Sequence, residues 1–318
     1  MRQERFERER AERGQAFERQ LAELDAGRRA QDFPRAYRLL CQDLVLARDR
    51  GFEVSLIERL NALALRGHQH LYGARSGGTG FLALFLGRFP RAVRREWRLV
   101  ALICVLFYGG GFVAFALCRS NPDFIYSIMN PANVAEFEQM YDPAAEHYGS
   151  PRAARDGVLM FFYYVGNNVS VAFRTFAGGV LFGIGSLLII FMNALLIGGL
   201  AGHVANVGYH ETFFPFVIGH GSFELTAIAL AGVAGMRMGL ALITAGPRSS
   251  AAMLKEATLR CVPILYGMTV MLVIAAVIES QWSPARAVSP TTKYWVGAGL
   301  WLFVIGWLGL GGRRIAPR

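Results

Sequence analysis

The sequence predicts an all-α protein, a polytopic helical membrane bundle of about six spans preceded by an N-terminal cytoplasmic helical domain. The first observation is composition: 53% of the 318 residues are hydrophobic and 18% are charged. The second is segregation, because 20 of the 33 Lys and Arg residues and 13 of the 23 acidic residues lie in residues 1–98. The third is that the remainder contains several apolar runs near the roughly 20 residues that cross a bilayer. These observations divide the chain into a cytoplasmic helical domain (residues 1–80), a juxtamembrane segment (81–98) and a transmembrane helical domain (99–312).

Residues 1–80 have the pattern of a small soluble helical domain. Apolar residues recur at helical spacing, as at Leu40 and Leu44. Pro34 separates two of the helices, with Asp32 as a candidate cap. No apolar core of a signal peptide occurs in this stretch, which predicts a cytoplasmic location. Glu and Arg interleave along the first helix, and such helical charge pairs argue against a basic face that binds nucleic acid.

Residues 81–98 form a basic amphipathic juxtamembrane segment suited to the inner membrane surface, and the glycine-rich stretch 75–80 is predicted to be the linker before it. The second membrane segment is only about 17 residues long, so it fits either a full span or a re-entrant segment. Positive charge flanks one side of the bundle when six segments cross, which favours two cytoplasmic termini. The six segments are predicted at about residues 99–117, 157–173, 176–205, 213–245, 261–278 and 295–310.

The apolar run 213–245 carries an imidazole and a carboxylate. His220 and Glu224 are four residues apart and lie on one face of a helix. Ionisable groups inside a membrane span are costly and mark functional sites by default. Three alternatives stay open: a proton or substrate relay, a metal site, and a structural pair that hydrogen-bonds to neighbouring amides. A metal site needs three or four ligands and only His203 and His210 are close in sequence, so no metal is predicted.

Amides inside apolar runs predict hydrogen bonds between helices. Asn167, Asn168 and Asn193 are such amides, and together with His220 and Glu224 they are predicted to make one connected polar core. The glycines before His220 predict a helix break of the kind that transporters use at their binding sites.

Three GxxxG pairs predict close helix packing, since small residues let helix backbones approach each other. The same motif also fits a homodimer seam, and a homo-oligomer, with a dimer favoured, is expected. The pairs are Gly179 with Gly183, Gly198 with Gly202, and Gly235 with Gly239.

Motifs of known enzyme classes are absent from the sequence. There is no HExxH, no nucleophile elbow and no pair of membrane aspartates. The four cysteines show neither a CxxC nor the spacing of a zinc site. The sequence therefore predicts a protein that is not an enzyme and that carries no cofactor.

The chain resembles the stage II sporulation protein M family, a group of SpoIIM-like membrane proteins. The resemblance covers most of residues 30–245, and its most specific part is the HGxxE stretch from His220 to Glu224 with the paired asparagines upstream. The stretches that carry it are Tyr37–Leu44, Leu60–Leu63, His68–Tyr72, Asn167–Asn168, Phe173–Gly179, Asn193 and Gly219–Ala227.

This resemblance implies an all-helical, multi-pass protein of the bacterial inner membrane without an established catalytic role. It implies a scaffold linked to cell-envelope remodelling, with membrane lipids, a MoxR-type ATPase, an RDD-type membrane protein or envelope-remodelling enzymes as partners. Two departures are the long helical domain before the first span and Gly14, where longer relatives tend to carry tryptophan. A glycine inside a helix costs about 1 kcal/mol relative to alanine, which predicts a loose first helix. The alternative function is a membrane transporter or channel that uses the His220 and Glu224 site.

Overall fold

The computed structural model describes residues 3–26, 28, 30, 32–72, 79–144, 154–244 and 250–313. All regular elements in these ranges are helical, which confirms the predicted all-α fold class. The chain divides into two compact units, Met1–Gly80 and Phe81–Arg318. Most of the predicted linker 75–80 lies outside the described residues, as do the basic residues Arg248, Arg314 and Arg318, on which part of the predicted orientation rests.

The first unit contains three helices, α1 (Gln3–Asp25), α2 (Phe33–Asp49) and α3 (Val54–Tyr72). Their apolar faces meet in one core, because residues at helical spacing turn towards the same side of each helix. Ion pairs join the helices at their edges, for example Arg10 Nε with Asp43 Oδ1 at 2.6 Å. The buried core residues are Phe17, Leu21, Phe33, Leu40, Leu44, Leu63 and Ala64.

One prediction about this unit needs correction. Asp32 does occupy the cap position of α2, but its side chain makes no capping hydrogen bond. Its backbone carbonyl instead accepts from the amide of Arg35 at 2.9 Å, with Asp32 held at a positive φ of 57°. The helix α1 runs without a break through Gly14 and contacts both α2 and α3; whether it is loose there stays a prediction.

The juxtamembrane segment contains α4 (Thr79–Ala83), a π-helical turn (Leu84–Arg88) and α5 (Phe89–Arg95). The Phe89 side chain is fully buried against α12 (Ser250–Val277), where the absence of a side chain at Gly267 makes room for the ring. Arg94 donates from Nη1 to the Leu308 carbonyl at 2.9 Å. Burial, and then the nearby charges of Arg313 and Arg91, lower the pKa of Arg94 below its usual range.

The first span, Trp97–Ser120, consists of α6 (Trp97–Cys104), a π-helical turn (Val105–Gly109) and α7 (Gly110–Ser120). A 3-10 helix (Pro122–Ser127) and α8 (Pro131–Tyr141) follow. The remaining helices are α9 (Ala154–Ala177), α10 (Ile184–Val207), α11 (His210–Ile243), α12, whose end continues as a π-helical turn (Ile278–Trp282), and α13 (Pro290–Leu310).

Five helices in the described residues are long and apolar enough to cross a bilayer, which confirms a multi-pass membrane protein. They are Trp97–Ser120, Ile184–Val207, His210–Ile243, Ala252–Trp282 and Pro290–Leu310. The second of the six predicted spans, segment 157–173, lies within α9, a helix of 24 residues that is not among these five. Whether α9 crosses the membrane stays a prediction.

The third predicted segment, 176–205, begins too early. The helix α9 ends at Ala177, a 3-10 turn spans Gly178–Val180, and α10 starts at Ile184. Gly183 precedes that start with φ of 84°, a left-handed conformation that glycine adopts without steric cost. The apolar character continues through the turn, which is why hydropathy alone does not locate it.

The helix break predicted before His220 is wrong, because α11 is one continuous helix from His210 to Ile243. Gly219 serves close packing instead: a Cβ there would lie 2.6 Å from Cζ3 of Trp282. The helix α11 is central, buried along most of its length, and contacts α6, α9, α10, α12 and α13.

The glycines of the GxxxG pairs lie at contacts between helices or turns of the same chain. A Cβ on Gly179 would overlap the Gly235 carbonyl, one on Gly198 would overlap the Gly111 carbonyl, and one on Gly202 would lie 2.7 Å from the Phe115 carbonyl oxygen. Gly239 lies in the same way against the backbone of Gly183. These contacts hold the backbones of the bundle close together.

Candidate functional site

A cluster of three ionisable side chains lies between α11 and the end of α12. His220 and Glu224 come from successive turns of α11, and Glu279 comes from the π-helical turn Ile278–Trp282. One ligand-type atom of each residue lies within 4.8 Å of the other two. Glu279 is the member that the sequence reasoning missed. Its only signal was a carboxylate at the end of the apolar run 261–278.

His220 is buried and its ring is held from two sides. Its Nδ1 lies 3.0 Å from Oγ of Ser283, and its ring packs edge-on against Phe216 with a centroid distance of 5.5 Å. The same Ser283 offers its carbonyl to Nζ of Lys293 at 2.6 Å. Lys293 is buried near the start of α13.

Glu224 meets Asn168 from α9, which is its hydrogen-bonding neighbour. Asn168 is buried, and its Oδ1 accepts from Nδ2 of Asn167 at 3.0 Å. Asn167 is itself exposed and lies at the margin of the site. The geometry therefore brings together Asn168, His220 and Glu224, with Asn167 reaching the site only through its neighbour.

Asn193 does not join this cluster, contrary to the single polar core predicted from the sequence. Its Nδ2 donates to the Ile189 carbonyl one turn earlier in α10, at 2.8 Å. An amide that bonds within its own helix satisfies part of its hydrogen-bonding capacity locally and needs no partner on another helix.

His203 and His210, the histidines nearest in sequence, also lie apart from the cluster. His203 Nε2 lies 2.6 Å from Oε1 of Glu138 in α8, and His210 is exposed at the start of α11. The third group near His220 and Glu224 comes instead from α12.

Two carboxylate oxygens in the cluster are buried without a hydrogen-bond donor. They are Oε2 of Glu224 and Oε2 of Glu279, and neither has a partner among the described residues. An unsatisfied buried polar group costs about 1–3 kcal/mol, and more when it is charged. Imidazole and carboxylate groups are ligands of divalent metal ions, so these three residues are where the described part of the chain could hold one.

The N-terminal unit has a separate groove between its three helices. The groove encloses a volume of about 300 Å³ and is lined by residues of all three helices. Phe6, Arg10, Gly14, Asp43 and Leu60 are among these residues. The lining is therefore mixed, with aromatic and aliphatic walls beside a charged pair.

Comparison with known proteins gives two family matches. The family described as Stage II sporulation protein M matches residues 98–284, which is more than half of the chain. A second family, described as Domain of unknown function (DUF8413), matches residues 4–73. No curated protein matches the chain, and no solved structure does. The first match contains His220, Glu224, Glu279 and Asn168.

Proposed function

Because the chain belongs to the stage II sporulation protein M family, we propose that it is a non-enzymatic scaffold of the bacterial inner membrane that assembles proteins of envelope remodelling. The observation that carries the proposal is backbone-to-backbone packing within the membrane unit, between α10 and α7 and between α11 and the turn that follows α9. Gly179, Gly198 and Gly239 each lie where any side chain would overlap the backbone of another segment. Close packing of this kind favours a bundle that keeps one arrangement, whereas alternating access requires one group of helices to rock against another.

The N-terminal unit is the docking module of this scaffold. Several of its charged side chains form ion pairs between helices. Examples are Arg59 with Glu18, at 2.9 Å, and Arg66 with Asp25, at 2.7 Å. These two pairs join α1 to α3, and the groove near Gly14 offers a recess of mixed polarity. A cytoplasmic MoxR-type ATPase is the proposed partner here, and an RDD-type membrane protein is the proposed partner of the spans.

Both termini are proposed to be cytoplasmic, and the scaffold is proposed to work as a homodimer. The glycines of the three GxxxG pairs already pack against other segments of the same chain. The dimer interface would therefore use another surface. The spans offer lipid or a second copy many exposed apolar side chains, including Leu302, Phe303 and Ile305 of α13.

Co-purification tests the scaffold role. The full chain, carrying an affinity tag, is expected to retain the MoxR-type ATPase of the same organism in detergent. A double substitution in the groove, Leu56→Glu with Leu60→Glu, should release the ATPase while the membrane unit and its RDD-type partner stay associated. The matched control is Glu58→Gln on the same helix. Equal retention of the ATPase by all three proteins would reject the docking role of this unit.

A transporter or channel is the second candidate, favoured by the carboxylate oxygens of Glu224 and Glu279 that lack donors inside the bundle. Oxygens of this kind can replace the hydration shell of a passing cation. Proteoliposomes that contain the full chain would then show Na⁺, K⁺ or Ca²⁺ flux above that of empty liposomes, and Glu224→Gln would abolish it. Flux equal to that of empty liposomes would remove this candidate and leave the scaffold.

A further inference from the structure

We propose that His220, Glu224 and Glu279 bind one divalent transition-metal ion, with Zn²⁺ as the best match, and that the ion ties the end of α12 to α11. The proposal does not depend on the scaffold function, because it concerns what holds the membrane unit together. Two of the three donors, His220 and Glu224, were identified from the sequence, and Glu279 is the third donor, which the structure adds.

The geometry supplies three donors from two helices. Their ligand atoms lie within 4.8 Å of one another, whereas a tetrahedral zinc site with bonds of about 2.1 Å places its ligands ~3.4 Å apart. The terminal torsion of a glutamate is broad, so both carboxyl groups can turn towards a common centre. The i, i+4 spacing of His220 and Glu224 on α11 already aims two of the donors in one direction.

The unsatisfied oxygens indicate a cation. Oε2 of Glu224 and Oε2 of Glu279 lack donors, and two ionised carboxylates at such separation repel each other, so the pair needs either a shared proton or a cation between them. Lys293 is close to the site, but its Nζ binds the Ser283 carbonyl. No ion pair in the described residues joins Lys293 to either glutamate.

The neighbours of the cluster have the arrangement of groups that orient metal ligands. The Ser283 hydroxyl lies against Nδ1 of His220, so a proton on Nδ1 leaves the lone pair of Nε2 for an ion. Asn168 holds Glu224 from α9. Such outer contacts set the tautomer and direction of the ligands in metal sites.

The donor set selects the class of metal. One imidazole with two carboxylates suits Zn²⁺, Fe²⁺ or Mn²⁺, whereas Mg²⁺ and Ca²⁺ are bound through oxygen alone and soft cations through thiolates. Among these three metals, affinity for a given site rises from Mn²⁺ through Fe²⁺ to Zn²⁺. Three protein ligands leave a fourth position of a tetrahedral site for a further ligand such as water.

Metal analysis of the full chain tests the proposal. The protein is purified in detergent from cells grown with Zn²⁺, Fe²⁺ and Mn²⁺, and its metal content is measured by mass spectrometry. We expect about one ion per chain, reduced by about tenfold or more in Glu279→Gln. The matched control is Glu138→Gln, which alters a glutamate that also contacts a buried histidine, His203, and should keep the ion.

A second measurement keeps the test decisive if Glu279→Gln does not fold. Wild-type protein is stripped with a chelator and titrated with Co²⁺, a spectroscopic substitute for Zn²⁺, and its melting temperature is followed with Zn²⁺. Visible absorption bands of Co²⁺ that Zn²⁺ displaces, and a melting temperature that rises with the Zn²⁺ concentration, are expected. A wild-type protein with no stoichiometric metal, no Co²⁺ bands and no change in melting temperature would overturn the proposal.

Discussion

Glu224 and Glu279 lie side by side, with ligand-type oxygens within 4.8 Å of each other, although one belongs to α11 and the other to the end of α12. Each has one buried oxygen without a donor. The contact is made possible by Gly219, where the absence of a side chain lets Trp282 pack directly on α11. The residues that bring the two helices together therefore also bring their carboxyl groups together.

The role of Glu224 in the bundle can be separated from metal binding in chelator-treated protein. We expect Glu224→Gln to melt near the wild type, because an amide keeps an acceptor for Asn168. Glu224→Leu should unfold more easily, by about 1–3 kcal/mol, since the Asn168 amide is then buried without its partner. Thermal unfolding in detergent measures both. Equal melting of Glu224→Leu and the wild type would mean that the pair adds nothing to stability.

The packing of the spans depends on glycines with no room for a methyl group. Gly198→Ala places a Cβ onto the Gly111 carbonyl and is expected to destabilise the membrane unit by about 1–3 kcal/mol. Gly306→Ala on α13 is the control, because a Cβ there meets nothing within 4 Å. Thermal unfolding of both variants in the same detergent makes the comparison. Helix propensity alone would stabilise both alanine variants, so an equal change in stability for the two would mean that close packing at Gly198 adds nothing to the stability of the bundle.

The number of crossings can be decided by labelling single cysteines at Ser127 and Ser250 in a variant without the four native cysteines. If α9 crosses the membrane, these positions lie on opposite sides, with Ser250 in the cytoplasm. If α9 stays on one side, five spans put both positions on the same side. We expect opposite sides, as the positive charges predict. Labelling of both positions by an impermeant thiol reagent from outside intact cells would contradict six spans.

The N-terminal unit contains an acid-sensitive contact between α1 and α3. Hydrogen bonds from His70 and then from Arg66, both at 2.7 Å, hold the pKa of Asp25 below its ordinary value. A carboxyl with a lower pKa in the folded state stabilises that state above its unfolded pKa of about 3.9. This stabilisation is lost as the pH falls through the folded pKa.

Hydrogen exchange of the α1 and α3 amides in the full chain measures this effect. After correction for the intrinsic pH dependence of exchange, protection in the wild type should fall as the pH drops below about 4. Asp25→Asn should show weaker protection at neutral pH and little further loss in acid. The control Asp49→Asn, which changes an exposed carboxyl at the end of α2, should keep the wild-type profile. A wild-type profile in Asp25→Asn would refute the assignment.

Much of the site could be predicted from local sequence. The spacing of His220 and Glu224 within an apolar run is enough to place both on one helical face, and Asn168 follows as an amide in another apolar segment. Glu279 could not be predicted to join the site in this way, because the sequence around Glu279 does not indicate which helix it contacts. Asn193 had the same local signature as Asn168, yet it bonds within α10.

By itself the sequence determined the all-helical class and the multi-pass membrane character, because hydropathy and helical spacing are local properties of a chain, and its motifs indicated the family. Tertiary structure alone decided three matters: that α11 continues through its glycines, that Trp282 packs where a helix break was expected, and that Glu279 joins His220 and Glu224. A glycine in the sequence can either interrupt a helix or allow another helix to pack closely, and the sequence alone does not distinguish these two outcomes. The choice between these depends on the energy of packing against Trp282, a residue that is distant in sequence and adjacent only in the folded bundle.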